Sequence, residues 1–586
     1  MKVLLNNGEV VACPEDEELE VIRHSCAHLL AAAVKRLYPN AMFGYGPATE
    51  HGFYYDIDFG DEKVSEENFP AIEAEMKAIQ KENPNTEVFE LPREEAIALM
   101  EERGEKYKVE HIADLPEDAH ITFFRMGEYV DMCKGPHMLY IKGIKAFELN
   151  KVSGAYWKAD ASNNMLTRIS GLCFKTKADL ADFKQFMEEA EKRDHRKIGR
   201  EMDLFMMNDA GPGFPFFLPN GVILRNQLMD FARELNDEYG YNEIMTPIIL
   251  NRQLWLTSGH WDHYKDNMYF TEIDDEPYAV KPMNCPGGVL VYKNRKHSYR
   301  ELPLRIAEFG LVHRHEFKGA LHGLFRVRNF TQDDAHIWIT PDQITQEVTG
   351  CISLITKIYE QFGFEYHIEL STRPEDSMGT DEEWDAAIAG LKGALESLDI
   401  DYVINEGDGA FYGPKIDFHL TDSIGRTWQC GTIQLDFQMP QNFDATYTAA
   451  DNTEKRPIMI HRAGFGSIER FIGMLIEHYA GNFPTWIAPI QVKVLPVSEK
   501  SLDYAREVTN KFKAAGIRVV LDERDEKVGY KIREARAVDR VPYMLVLGEK
   551  EAEEGNISVR NRANKTFSAN TDEFIASVVE EIATRA

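Results

Sequence analysis

From about residue 490 onward, strand and helix patterns alternate so regularly that few folds remain open to this part of the chain. The runs QVKVLPV, IRVVL, PYMLVLG and NISVR have strand character. The segments SLDYAREVTNKFKAAG, VGYKIREARAV and TDEFIASVVEEIATR have helical spacing. Strands joined through helices can lie side by side in parallel, so the pattern predicts a small α/β domain with a largely parallel sheet. Pro484-Thr485-Trp486 and Ala488-Pro489 punctuate its start, giving a domain over 489–586.

The 586 residues correspond to about four domains at roughly 150 residues each. Residues 1–20 read as a short leader with one strand, KVLL, and an acidic run, EDEELE. Val21, Ile22, Leu29, Leu30 and Val34 recur at helical spacing, and Tyr38-Pro39 stops that helix. The strand-like GFYYDIDF and a charged helix starting near Ser65 follow, and residues 21–175 form one α+β domain. Residues 176–197, including KADLADFKQFMEEAEKRDHRK, read as a linker helix. Residues 198–488 alternate helices with strand-like runs such as PLRIAEFGLVHRHEF and RTWQCGTIQLDF and form a further domain. No internal repeat or low-complexity tract occurs.

Hydrophobic residues make up 44% and charged residues 28%, the balance of a globular chain rather than a disordered one. No stretch approaches the roughly 18 uncharged apolar residues of a membrane span, and the N-terminal apolar run is too short for a secretory signal. Seven scattered cysteines do not make a disulfide framework, so a reducing cytoplasm is expected. The net charge of −31 argues against a nucleic-acid partner until its distribution is counted. Residues 1–190 carry 21 basic and 35 acidic side chains, whereas residues 491–586 carry 17 of each. The C-terminal segment is therefore least repulsive to phosphates, and the basic runs KRDHRKIGR and YKNRKHSYR remain available.

Several residues could carry chemistry. His24 and His28 lie four apart and share one helix face. Ser25 stands where the protease motif HExxH needs its glutamate, which excludes that mechanism. Cys133 and His137, in DMCKGPH, sit on a loop. The four together suit either a metal site or a polar pocket in which imidazoles orient water. Arg314 and Glu316, between two predicted strands, can place a planar guanidinium over a phosphate and a carboxylate at a base edge, with Phe330 as a stacking face. HRAGFGSIERFIGMLIEHY reads as a glycine-interrupted turn into an amphipathic helix with Arg470 in its first turns. Cys285, His336 and His461 lie far apart, and spacing alone does not unite them.

The motifs RHSCAHLL, GFYYDID, VDMCKGPH, RDHRKIG, KPMNCPGG, LHGLFRVRNFTQDDAHI, AFYGPKIDF, QCGTIQLDF and IHRAGFGSIERFIG together resemble the bacterial-type threonyl-tRNA synthetases, in that family's order from about residue 20 to the end. The resemblance implies an α+β editing domain, a class II antiparallel sheet core and an α/β anticodon-binding domain. It implies an enzyme that activates L-threonine with ATP and Mg²⁺, charges tRNA(Thr) and hydrolyses seryl-tRNA(Thr). Pro247, in YNEIMTPIIL, matches the motif that forms the family's homodimer interface. Arg314 matches the α-phosphate contact, Glu316 the adenine amino contact, and Phe330 and Arg470 the two faces that sandwich adenine. Cys285, His336 and His461 match ligands of one zinc ion per chain. Gln332, Asp334, Tyr412, Lys415, Gln429 and Gln434 match the threonine and adenylate pocket. His24, His28, Lys108, Asp131, Cys133 and His137 match the editing site, which in the family works without zinc. Glu551 and Arg560 match base-reading positions.

The implied division of labour is physically coherent. A three-ligand zinc keeps open positions that threonine's amino and hydroxyl groups can fill. A site built around a hydroxyl rejects valine by about 10⁴–10⁵, whereas serine lacks only a methyl, worth roughly 1–3 kcal/mol. Serine therefore leaks through, and a second hydrolytic site is needed. Most bacterial relatives begin with a ubiquitin-like domain for which the first 20 residues are too short. A free-standing editing factor would leave about 400 residues without a role.

Overall fold

The computed structural model describes residues 1–117, 119–160 and 162–586, which divide into two units, 1–188 and 189–586. In the first, the helix Glu18–Leu37 carries acidic residues in its first turn and Lys35 and Arg36 in its last, matching the helix dipole. Cys26, Ala27 and Leu29 to Val34 are all buried, so this helix is hydrophobic on nearly every side and runs through the core. Around it lie an antiparallel sheet ordered Ala146–Tyr156, Met165–Phe174, Gly52–Asp58 and Met42–Phe43, and a second one of Thr86–Leu91, Ile121–Met126 and Tyr129–Met132.

The expected leader is instead part of this unit. Lys2–Leu4 and Val10–Ala12 form a hairpin, and Lys2–Leu4 pairs on its other edge with His137–Met138, Leu4 opposite His137. The Asn6 side chain accepts a hydrogen bond from the Gly135 amide. Val3 and Leu4 are buried, and the register follows from that burial, which a lone three-residue run cannot reveal.

The expected continuous linker helix is also corrected. Lys177–Arg193 ends, and Asp194 caps a new helix, His195–Glu201, by accepting from the Arg196 amide. Aspartate favours this cap over a helix interior because its short side chain bonds orphan amides. Part of the basic run around it is tied up: His195 is buried against Glu477, Arg193 donates to the Glu477 and His478 carbonyls, and Arg196 pairs with Asp194, while Lys197 and Arg200 are exposed.

The second unit is built on an eight-stranded sheet in the order Asn242–Glu243, Leu304–His313, Asn329–Ile339, Ile458–Ser467, Thr427–Asp436, Lys415–Thr421, Glu365–Ser371 and Val403–Asn405. One face packs on the amphipathic helices Ile344–Phe362 and Ile468–His478 through residues such as Ile355, Ile358, Phe471 and Leu475. On the opposite face the register sets His336 beside His461, His461 beside Gln434, and Gln434 beside Lys415. Strand alternation then projects all four in the same direction.

The glycines of HRAGFGS are not a turn but the end of the strand Ile458–Ser467. The buried Asp333 carboxylate accepts from the Gly464, Phe465 and Gly466 amides, holding the strand to its last residue. Gly466 has φ +76°, and a Cβ there would meet the Cys430 carbonyl at 2.4 Å, so only glycine fits.

At the C-terminus a five-stranded sheet runs Val519–Leu521, Val492–Pro496, Tyr543–Leu547, Asn556–Asn561 and Thr566–Asn570. The first three strands are parallel and the last two antiparallel, so the sheet is mixed rather than largely parallel. The connecting helix Glu549–Glu554 has six residues, too few for a parallel crossover, which needs a dozen or more.

Candidate functional site

In the second unit, Cys285 at the start of the helix Cys285–Tyr292, His336 and His461 come together with ligand atoms within 4.8 Å of one another, all three buried. The His461 Nε2 lies 2.9 Å from the Asp436 carboxylate, which orients the ring and leaves Nδ1 for another partner. The His336 Nε2 is buried without a hydrogen-bond partner. Burial lowers the His336 pKa to about 4, keeping the imidazole neutral, and raises the Cys285 thiol well above its ordinary value. A thiol, an unpartnered imidazole and a carboxylate-oriented imidazole fit the donor set of a zinc ion.

Of the expected pocket residues, Asp334, Tyr412 and Gln434 lie against this triad. Asp334 lies 3.9 Å from the His336 imidazole and accepts from the Asn284 side chain at 3.0 Å. The Tyr412 hydroxyl donates to Gln434, and its ring lies 4.9 Å from that of His461. Gln332 sits on the same strand as Asp334 and His336, opposite Ser467. The Lys415 ammonium is tied to Asp408 at 2.9 Å and Asp417 at 2.5 Å. Arg314 donates to the Pro282 carbonyl, and its guanidinium lies 5.0 Å from the Phe330 ring. The Glu316 carboxylate faces Arg326 at 3.7 Å. Arg470 donates to the Phe325 and Gln429 carbonyls, which joins the helix Ile468–His478 to the exposed Gln429 position.

Sequence reading missed Asp436 and Asn284, which no motif spacing distinguishes from ordinary polar residues. It also missed the fully buried His260, whose pKa falls to about 3 through burial and then through His461 and Arg314.

In the first unit, His24 and His28 from the central helix meet Cys133 and His137, with ligand atoms within 4.8 Å. His24 Nε2 and His28 Nε2 lie 3.0 and 3.2 Å from the Cys133 sulfur. His137 stacks on Phe124 at 4.0 Å, and both its ring nitrogens are buried without partners. Asp131 is buried among Lys108 at 2.7 Å, His28 at 3.1 Å, Tyr129 at 3.0 Å and the Tyr55 hydroxyl. His24, His28, Lys108, Asp131 and Cys133 line a cavity of about 590 Å³ together with Tyr45, Tyr54 and His111, and His137 lies buried behind it. Tyr55 and Phe124 were not singled out beforehand, although Tyr55 lies within GFYYDID, where alternation turns it toward the core.

The electrostatics form one coupled set. Burial would lower the His28 pKa, but Cys133 and Asp131 raise it to about 9. Burial would raise the Cys133 thiol, but His28, His137 and His24 bring it well below its ordinary value. Burial lowers the His137 pKa to about 4. Burial opposes the Asp131 charge, but Lys108 and His28 hold the carboxyl well below the usual carboxylate range. These charges favour a protonated His28 and a more acidic Cys133 thiol beside a neutral His137.

At the C-terminus, the Glu551 carboxylate caps the Gly548 amide at 2.8 Å, and Arg560, on the strand Asn556–Asn561, bonds Asn564 at 2.8 Å.

Comparison with known proteins matches residues 269–479 to the class II tRNA synthetase core domain (G, H, P, S and T). Residues 491–581 match the anticodon binding domain, and residues 121–170 the threonyl and alanyl tRNA synthetase second additional domain. The chain is 58% identical to a threonine–tRNA ligase of Clostridium acetobutylicum over 98% of its length and 90% of the relative's. It is likewise 58% identical to that of Clostridioides difficile, over 97% and 89%. The solved RNA binding domain of a Cryptosporidium parvum threonyl-tRNA synthetase superposes with a TM-score of 0.64 at 42% identity, covering 66% of this chain and 98% of that one. A putative threonyl-tRNA synthetase from Aeropyrum pernix gives 0.60 at 30%, covering 67% and 96%. An antiparallel class II core carrying a buried Cys–His–His triad, an anticodon-binding domain and a second additional domain, matched along nearly the whole chain, make this protein a member of the threonine–tRNA ligase family of class II aminoacyl-tRNA synthetases.

Proposed function

We propose that residues 198–488 activate L-threonine with ATP and Mg²⁺ and transfer it to tRNA(Thr), while the N-terminal unit hydrolyses seryl-tRNA(Thr). The observation that carries this reading is the buried Cys285–His336–His461 donor set beside Asp334, Tyr412 and Gln434. Zinc held by those three ligands would leave positions open to an amine and a hydroxyl. Asp334, tethered by Asn284, accepts a hydrogen bond from the substrate hydroxyl. Arg314 serves the α-phosphate, Glu316 the adenine amino group, and Phe330 with Arg470 the faces of the base. Gln332, Lys415 and Gln429 complete the pocket. Fixed donors aimed at the phosphate lower the barrier because their orientation is established before reaction.

In the N-terminal unit, the buried His137 imidazole lies against the Cys133 thiol, and a base held to a pKa of about 4 orients water better than it deprotonates it. The His28 imidazolium, held by Asp131 and Lys108 behind it, is placed to steady negative charge developing on an ester carbonyl. His24 and Cys133 fix its position. This reading assigns the site no metal.

Homodimerisation is supported by the exposed apolar run around Pro247, where Met245 is 89% exposed and Ile248 and Ile249 are exposed beside it. tRNA recognition is assigned to residues 489–586, with Glu551 and Arg560 as base readers. No helix among the described residues is long and apolar enough to cross a membrane, and the seven thiols are free, which supports a cytoplasmic site of action. Pyrophosphate exchange against single amino acids tests the core: threonine should drive it strongly, serine weakly and valine negligibly. Equal exchange with valine would overturn the reading.

A further inference from the structure

Outside the catalytic pocket the same sheet carries a second constellation of ligand-type side chains. His367 and His419 are directly opposed on the antiparallel strands Glu365–Ser371 and Lys415–Thr421. Their rings stack at 5.0 Å and 15°. Glu369, two residues beyond His367 and therefore on the same face, reaches both imidazoles: its Oε1 lies 3.3 Å from His367 Nε2 and its Oε2 3.4 Å from His419 Nε2. Among the described residues, these imidazoles are its only ion-pair partners, although the chain carries 66 lysines and arginines. Asn405 holds the carboxylate from the neighbouring strand by donating to Oε2 at 2.9 Å.

The separations discriminate between two uses of this arrangement. An N–H···O hydrogen bond in proteins spans about 2.7–3.2 Å, so both contacts are long for hydrogen bonds. Two ligand atoms bound at about 2.0–2.1 Å to a tetrahedral ion lie about 3.3 Å apart. Each imidazole nitrogen stands at about that separation from a different oxygen of the Glu369 carboxylate, which can therefore bind through both oxygens. Two imidazoles and a carboxylate are a donor set for borderline dications, and such a set leaves coordination open to water. The Asn405 contact is the outer hydrogen bond that ligating carboxylates require. All three residues are at least partly exposed, so an ion can enter from solvent.

We propose that His367, Glu369 and His419 form a second metal site, specific for a borderline dication such as Zn²⁺, Co²⁺ or Ni²⁺ and weaker than the buried triad. The ion bridges two strands, one of which begins with Lys415 and places His419 opposite Gln429 on the next strand. It therefore braces the edge of the catalytic sheet rather than taking part in the reaction.

The test uses the full chain with its buried site already loaded with zinc. Ni²⁺ is titrated calorimetrically, and thermal unfolding is followed with and without Ni²⁺. Wild type should bind one more equivalent of Ni²⁺ than the His367→Ala/His419→Ala variant and should show a rise in melting temperature that this variant lacks. Glu369→Gln, which keeps both imidazoles, should weaken that equivalent at least tenfold. Ni²⁺ binding at the N-terminal His–Cys cluster would be common to wild type and variants and cancels in the difference. Identical isotherms and identical melting shifts for wild type and the double variant would overturn the proposal.

Discussion

Replacing Asp131 by asparagine removes the one negative charge that the interior of the N-terminal unit sets against the Lys108 ammonium. Both side chains are nearly inaccessible, 2% and 5% exposed, and their charged atoms are 2.7 Å apart. The same carboxylate holds His28 and accepts from Tyr129 and Tyr55. Breaking a buried pair by deleting one partner costs about 3–5 kcal/mol, mostly because the surviving charge is left unsolvated. For a unit of this size each kcal/mol moves the midpoint by about 2–4 °C, so the transition should fall by about 6–20 °C. The measurement is thermal unfolding of the full chain, with hydrogen exchange of residues 1–188 assigning the affected transition. A charge-specific cost has a second signature. Adding Lys108→Met to Asp131→Asn should recover part of the loss, because the stranded ammonium is then gone. A shift under about 2 °C, or a double variant no more stable than the single one, would refute the argument.

Cys285→Ala should lose zinc and threonine activation together, because two imidazoles alone keep neither the geometry nor the affinity; metal analysis showing full occupancy would contradict this. Arg314→Ala should depress pyrophosphate exchange and leave seryl-tRNA hydrolysis intact, and equal loss of both would mean the two activities are not housed separately. His24→Ala with His28→Ala should leave threonylation near normal while seryl-tRNA(Thr) accumulates; clearance at the parental rate would make these histidines structural. Stability of the N-terminal unit should fall as pH drops below about 6.5, because the unfolded chain then protonates His137 while the buried imidazole stays neutral down to about 4; denaturant titrations showing no loss between pH 6.5 and 4 would rule out a neutral His137. The removal of residues 1–12 should weaken editing, since it strips the strand that pairs with His137.

Local pattern was enough to locate most elements. The helix Glu18–Leu37, the strands flanking Arg314 and the alternation after residue 490 follow from periodicity of 3.6 or 2, which nearest neighbours along the chain set. It failed where an element's identity depends on distant partners. Lys2–Leu4 is a strand of a sheet because His137–Met138 lies beside it. HRAGFGS is extended because the Asp333 carboxylate binds three of its amides. Tyr543–Leu547 and Asn556–Asn561 are antiparallel because the six-residue helix between them is too short for the crossover that a parallel pair needs.

The candidate sites divide in the same way. Residue types and family motifs in the sequence determined which side chains could hold a metal, a phosphate or an ester. Only the tertiary structure decided their state. Strand register makes neighbours of His336 and His461, 125 positions apart in the chain. Burial and the charges that surround each group then raise the His28 pKa, lower the Cys133 thiol and keep His137 neutral. Desolvation and Coulomb energies depend on distances in three dimensions, and those distances exist only once the strands have paired.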